Sequence, residues 1–289
     1  MAGRILTLML AAAAMLWPLD GHAQEQAPAQ NTAAPAAAAQ APEDDPDRDP
    51  RASQPDFVIV NLPTTLRVPR FKSAFRIAHR FGRPIGQGDF GSLAEDLFGL
   101  DSGALIGFEY RFGLMRGLQV GILRTSDRTI DFFTQYNLRQ QGEGGPVGLG
   151  IVAAIDGTNN FRDSYSPSVG LVVSRELGSH GAVYFEPMWV NNTNPLPGEV
   201  VDDNDTVLLG LGARIRVRPT VYVVGELIPR VGHDPGVNHA TFGIEKRAGG
   251  HVFQFNFSNG LGNTMSQLAR GGTSNDDWYI GFNISRKFF

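Results

Sequence analysis

The sequence predicts an all-β fold: an antiparallel, up-and-down transmembrane β-barrel of about 12 strands, preceded by a signal peptide and a disordered linker. Three observations predict it. About twelve segments of about ten residues alternate apolar and polar, which is the length and dyad pattern of tilted strands that cross a bilayer. The links between them alternate short and long. The chain ends on an alternating strand that closes with Phe288 and Phe289.

The first 23 residues have the three parts of a secretory signal. Arg4 gives the positive start, Ile5 to Trp17 the apolar stretch, and Gly21-His22-Ala23 the small residues read at cleavage. Pro18, Asp20 and Gly21 end the apolar run too early for a membrane anchor. Residues 24–56 are Ala, Pro, Gln and acid, with almost nothing larger than Ala to bury, so ordering entropy has no apolar offset and a solvated tether is expected. The predicted domains are therefore 1–23, 24–56 and the barrel at 57–289.

Charge and cysteine content exclude several classes. Of 25 basic and 29 acidic residues, Arg4 and Asp20 fall in the leader and two basic and seven acidic in the linker, which leaves 22 against 21 in the barrel. A nucleic-acid surface would need a clustered basic excess. With no cysteine, thiolate metal sites and Cys nucleophiles are absent.

The strands are read in order from their parity. Phe71, Phe75, Ile77 and Phe81 oppose Lys72, Arg76 and Arg80, and Ile106, Phe108, Tyr110 and Phe112 oppose Glu109 and Arg111. Leu118, Val120 and Ile122 follow, then Ile130, Phe132, Tyr136 and Leu138 against Asp131, Gln135, Asn137 and Arg139. Ile151 and Ile155, Val169 and Leu171, and Val183, Phe185 and Trp189 mark the next three. Val207, Leu209, Leu211 and Ile215 oppose Gly210, Gly212, Arg214, Arg216 and Arg218. Val221 to Pro229, Ala240 to Lys246, Val252 to Phe257 and Trp278 to Phe288 complete the set.

Short links at Gly113 to Gly117, Gln140 to Pro146, Gly178 to Gly181, Pro219-Thr220 and Ala248 to Gly250 belong to one rim. Gly82 to Gly103, Asp156 to Ser164, Asn191 to Asp205, Arg230 to Asn238 and Ser258 to Asp277 belong to the other, and only Ser126 to Arg128 breaks the rule. That asymmetry is the habit of an outer-membrane barrel with periplasmic turns, so a Gram-negative outer membrane with both termini periplasmic is expected. No later segment is long and apolar enough for a transmembrane helix. A periplasmic sandwich or a lipocalin-like barrel would also alternate; the glycines and charges opposite the apolar face favour a membrane barrel with a polar interior.

The last strand looks like the signal that barrel assembly machinery recognises, carried by Phe282, Ile284, Phe288 and Phe289, with Phe289 one residue beyond the usual end. Outer-membrane lipid and that machinery are the expected partners; a periplasmic partner for the linker is left unnamed. The runs Asn61-Leu62-Pro63-Thr64-Thr65, Phe75 to Gly82, Leu97 to Ser102 and Val120 to Ser126 resemble an uncharacterised bacterial β-barrel family of unknown function. The resemblance, densest from Asn61 to about Gln141, implies a barrel and carries no substrate or catalytic residue.

Function is expected in the lumen. The inward parity holds ten basic and six acidic residues, among them Lys72, Arg76, Arg80, Glu109, Arg111, Arg139, Arg214, Arg216, Arg218 and Glu226. A barrel of this size lies between filled and water-holding, and interior charges must be hydrated or paired. A narrow passive channel preferring small anions is the first expectation, with Arg214, Arg216 and Arg218 as a ladder. A closed structural or docking barrel is the alternative, and an outer-membrane hydrolase built on His233 and Asp234 ranks third. No cofactor or metal is expected, although Asp202 to Asp205 and Asp156 to Asn160 offer oxygen ligands. Phe90 to Leu100 reads as a short helix, with Leu93 and Leu97 on one side.

Overall fold

The computed structural model describes residues 46–48, 51–95, 103–194, 204–233 and 236–289. The signal and most of the linker lie outside them, as do Asp96 to Leu100, Asp202, Asp203 and Asp234. The described residues belong to one compact unit, Asp44–Phe289.

The strands are β1 (Ser73–Pro84), β2 (Ala104–Met115), β3 (Leu118–Thr125), β4 (Ile130–Arg139), β5 (Gly148–Gly157), β6 (Tyr165–Glu176), β7 (Gly181–Val190), β8 (Thr206–Arg218), β9 (Val221–Ile228), β10 (Arg230–Gly232), β11 (His239–Ala248), β12 (His251–Ser258) and β13 (Tyr279–Lys287). β10 is a three-residue continuation of β9 beyond Pro229; both pair with β8, so the wall has twelve strands. Pro229 has no amide hydrogen to give to a ladder, which explains the interruption.

Every neighbour is antiparallel and next in sequence, and β1 pairs β13 with Ile77 opposite Ile284, so the sheet closes on itself. Closure removes the sheet edges, which a membrane-spanning sheet requires because hydrocarbon cannot satisfy a bare backbone.

The two parities divide as expected. Leu211 is 42% exposed, whereas Arg214, three residues on, is fully buried. Phe108, Phe132, Leu171, Phe185, Leu209 and Phe255 stand outward with large apolar exposure, while Arg76, Arg80, Glu186 and Glu245 are buried. Aromatic pairs bridge neighbouring strands on the outer face, with Phe75 and Phe108 centroids 6.3 Å apart and His79 stacked on Phe282 at 4.8 Å.

The interior is occupied. Residues 51–68, which precede β1, run inside the barrel as a plug with almost every residue buried. The plug folds back on itself: Ile59 N donates to Leu62 O and Thr64 N to Phe57 O, each at 2.8 Å. Ile59, Val60 and Leu62 then pack against Val172, Tyr184, Met188, Leu208, Tyr222 and Val224. Phe57, Leu66 and Val68 form a second cluster with Ala74, against which Phe289 packs.

The linker expected to run to Asp56 therefore ends earlier. Ser53, Gln54 and Asp56 are buried, and Tyr222 donates its hydroxyl to Ala52 O at 2.9 Å. Buried hydrogen bonds to the wall, rather than apolar area, offset the ordering entropy of these residues.

Helix α1 (Phe90–Glu95) covers the first part of the expected segment, and α2 (Thr158–Phe161) is a single turn. The connection before β13, expected as a long outer loop, instead packs α3 (Met265–Ala269) inward, with Ser266 to Ala269 buried. Thr264 and Gln267 form a capping box at its start. Asp156 then bolts it to β5 by accepting Thr264 Oγ1 at 2.6 Å and the Ser266 hydroxyl.

Candidate functional site: the plugged lumen

The wall reads the plug chiefly through the plug's backbone. Glu226 on β9 receives three successive amides on one oxygen, from Val60 at 2.7 Å and from Asn61 and Leu62 at 2.8 Å each. Consecutive amides turned to one point make a concave anion site, here filled by the wall's own carboxylate. Its other oxygen accepts Asn61 Nδ2 at 3.3 Å and Thr241 Oγ1 at 3.1 Å.

Cations and amides take the plug's carbonyls. Arg214 donates to Val58 O at 2.7 Å, Arg76 to Val60 O at 3.1 Å, Gln254 to Ile59 O at 2.6 Å, and Asn283 to Val60 O at 2.9 Å. Arg80 reaches Asn61 Oδ1 and Asn283 Oδ1, both at 2.9 Å. Further along, Gln135 donates to Thr64 O at 2.6 Å and Asn137 to Leu66 O at 3.1 Å. Two inward glycines make the room. A Cβ on Gly210 would lie 2.9 Å from Leu62 Cδ1, and one on Gly212 would overlap Ile59.

The turn-side end is fastened by ions. Arg51 pairs with Glu176, Lys287 bonds Pro55 O and lies 3.8 Å from Asp56, and Arg67 meets Glu143 through two parallel contacts of 2.9 Å. The Arg67 guanidinium holds the Glu143 carboxyl down at about 2, well below the usual carboxylate range.

Among the expected lumen residues, Arg76, Arg80, Glu109, Arg111, Arg214 and Glu226 are buried in the interior. Arg76 and Arg111 share Glu109, and Arg214 pairs with Glu245 at 2.9 Å. Lys72, Arg139 and Arg216 are half-buried at the turn rim, and Arg218 is exposed. The Arg214, Arg216 and Arg218 ladder therefore does not run through the lumen: β8 reaches its turn at Arg218, where Arg216 folds over Pro219 O at 2.9 Å.

The basic excess expected inside is also absent. The buried wall cations are Arg76, Arg80, Arg111, Arg214 and Lys287, against Glu109, Asp131, Asp156, Glu186, Glu226 and Glu245. Period two places residues on a face but does not say where the strand leaves the barrel, so parity alone groups rim cations with the interior.

Among the described residues, the plug lies against the wall on every side for which a void is seen, and the voids are small. A void of about 30 Å³ lies between Asn61 and Pro63 of the plug, Asn263 and Met265 of the outer connection, and the Arg76, Glu109, Arg111 and Asp131 group. That is room for on the order of two waters.

The other candidates resolve into structural contacts. His233 is buried. His239 Nε2 lies 3.2 Å from Ser258 Oγ inside the barrel, but its Nδ1 has no partner, so no acid orients the pair as nucleophilic catalysis requires. Asp205 accepts Asn191 Nδ2 at 2.6 Å and Trp189 Nε1 at 3.3 Å. Phe282 and Ile284 are half-buried on β13, Phe288 is exposed, and Phe289 packs beside Phe57 at a centroid distance of 6.4 Å.

The family described as "Membrane bound beta barrel domain (DUF5777)" matches residues 56–288. The chain belongs to this family. The match begins within the plug and takes in the whole barrel wall. No curated protein matches. Among solved structures, the chain is similar to the NanC porin, at 7% identity over 75% of this chain and 99% of that one, with a TM-score of 0.48. It is similar at 12% identity to the COG4313 outer membrane channel from Pseudomonas putida F1, over 76% and 97% of the two chains, with a TM-score of 0.47. A Rhodopseudomonas blastica porin mutant aligns with 64% of this chain and 55% of its own, at 10% identity and a TM-score of 0.35.

Two functional parts escaped the sequence reading. Phe57 to Val60, with Leu62, Leu66 and Val68, is an apolar run without alternation, which already set it apart from a wall strand. The Thr264 to Gln267 capping box is a helix start legible within the Ser258 to Asp277 connection.

Proposed function

We propose that this membrane-bound barrel is an outer-membrane channel closed by its own N-terminal segment, which conducts only when residues 51–68 leave the lumen. One observation carries the reading: the plug is held by polar wall groups reaching its backbone, with Glu226 and Arg214 at the centre. Such groups can exchange their plug partners for water at modest cost. Each plug contact contributes about 0.5–1.5 kcal/mol net, so the set together holds the closed state against thermal fluctuation.

In this reading the protein is a conduit rather than a catalyst, and both termini face the periplasm, where the tether could be drawn out. Ionic preference belongs to the turn-side mouth, where Lys72, Arg139, Arg216 and Arg247 stand on the rim with Glu143 and Glu176, rather than to the balanced interior. Efflux of chloride and of small organic anions from proteoliposomes tests it. Vesicles holding the full barrel should stay tight, and vesicles holding a barrel without residues 51–68 should leak; equal tightness of both would favour a permanently closed structural barrel.

A further inference from the structure

At the turn rim the outward face of β2, β4 and β8 ends on apolar side chains, Leu114, Leu138 and Val217, all exposed. The arc from β11 to β13 differs. Its outward parities run through Ile244, Phe253 and Ile284 and end toward the turns on Lys246, His251 and Arg286. A cation on a lipid-facing parity is tolerated where the headgroups begin, so these groups mark the membrane surface on that side.

Strand register brings the three together. His251 lies opposite Arg286 on one side and Ala248 on the other, which makes Lys246 its diagonal neighbour. Diagonal neighbours on one face stand about 7–8 Å apart, within reach of long side chains. Arg286 Nη1 lies 2.9 Å from His251 Nδ1, and its guanidinium stands 6.0 Å from the centre of the Phe288 ring, so two neighbours hold that group in place. Lys246 is exposed, and its ammonium has no partner among the described residues.

No acid of the wall offsets this charge. Neither Asp nor Glu stands among the outward residues of β9, β11, β12, β13 or β1. Glu245, next to Lys246 in the chain, points inward to Arg214 at 2.9 Å. The terminal carboxylate belongs to Phe289, whose ring turns inward beside Phe57, and neither Lys246 nor Arg286 forms an ion pair with it.

We propose that Lys246 and Arg286, with His251 fixing the guanidinium, form a site for the phosphate of one anionic phospholipid at the turn-side membrane surface. The planar guanidinium takes two phosphate oxygens, and the flexible Lys246 side chain closes on the same group from across β12. A zwitterionic headgroup brings an ammonium of its own toward these cations, so a net negative headgroup is preferred. The exposed rings of Phe253 and Phe288 flank the site at the depth where aromatic side chains meet the headgroup boundary. The site rests on the membrane-bound barrel alone and does not depend on whether the plug leaves the lumen.

Native mass spectrometry of the full-length barrel tests the site, with phosphatidylglycerol or phosphatidylcholine of identical chains added before release from detergent. One phosphatidylglycerol should be retained in preference to phosphatidylcholine. Lys246→Gln removes a surface charge without a partner, so folding should survive, and the preference should fall about fivefold, the fold-change of one basic residue at an anionic surface. Lys246→Arg should keep the preference, and Lys246→Gln with Arg286→Gln should abolish it in protein whose heat-modifiable migration is that of the wild type. Arg175, an exposed cation on β6 that donates to Pro146 O at 2.7 Å, is the control, and Arg175→Gln should change nothing. Equal retention of the two lipids by the wild type would overturn the proposal. A preference undiminished in Lys246→Gln, or lowered as far by Arg175→Gln, would overturn it too.

Discussion

Glu226 Oε1 accepts the backbone amide of Asn61 at 2.8 Å, joining the wall at β9 to the tip of the plug. The same oxygen takes the amides of Val60 and Leu62, so one carboxylate satisfies three donors that would otherwise be buried without partners.

Removing that carboxylate should loosen the plug selectively. In Glu226→Ala each orphaned amide costs about 1–3 kcal/mol, while β9 keeps its ladder with β8 and β11. Faster proteolysis between residues 51 and 70 with an unchanged barrel melting temperature is the expected result. Glu226→Gln keeps an acceptor oxygen and should fall between wild type and Ala.

The face assignment gives a second test. Leu211 points outward, so Leu211→Arg should cost about 2–4 kcal/mol if it lies near the bilayer midplane. Arg216→Glu, at the half-buried rim, should fold nearly as the wild type does. Urea-unfolding midpoints in lipid vesicles compare the two, and an unaffected Leu211→Arg would mean that this face does not meet hydrocarbon.

Much of this was legible because period two is a strong signal when one face meets lipid and the other a polar interior. Leu209, Leu211, Phe253 and Phe255 stand outward as their parity requires, and the short turns at Pro219-Thr220 and Gly249-Gly250 fall where the alternation stops. The plug was hidden for a physical reason: its partners lie far away in sequence, with Asn61 bonding Glu226 and Ile59 bonding Gln254. Local pattern carries no trace of such pairings. Arg76 and Arg214 could be seen to face inward, but what neutralised them could not.

Acid should leave the Arg67 to Glu143 clasp intact over most of the range. Because the folded carboxyl is held down at about 2, its contribution is full above the unfolded value near 4.3 and is lost as pH falls through about 2. The Glu143 carboxylate signal in NMR should therefore titrate near pH 2, and Arg67→Ala should move it back toward pH 4. Solvent screening at this exposed turn keeps the effect on overall stability small.

Orientation is testable because the chain has no native cysteine. Gly249→Cys at the short-turn rim should resist an impermeant thiol reagent on intact cells, and Asn159→Cys at the long-loop rim should react. The reverse pattern would turn the barrel over.

Single-channel recording in planar bilayers compares the full barrel with the same barrel lacking residues 51–68. The plug fills the lumen and the void beside Asn61 and Pro63 has space for only about two waters, so the full barrel should be silent at low voltage, and the shortened one should show discrete, long-lived steps. Steps of equal size and frequency from both proteins, or silence from both in membranes where the shortened barrel is shown to be folded, would contradict closure by the plug.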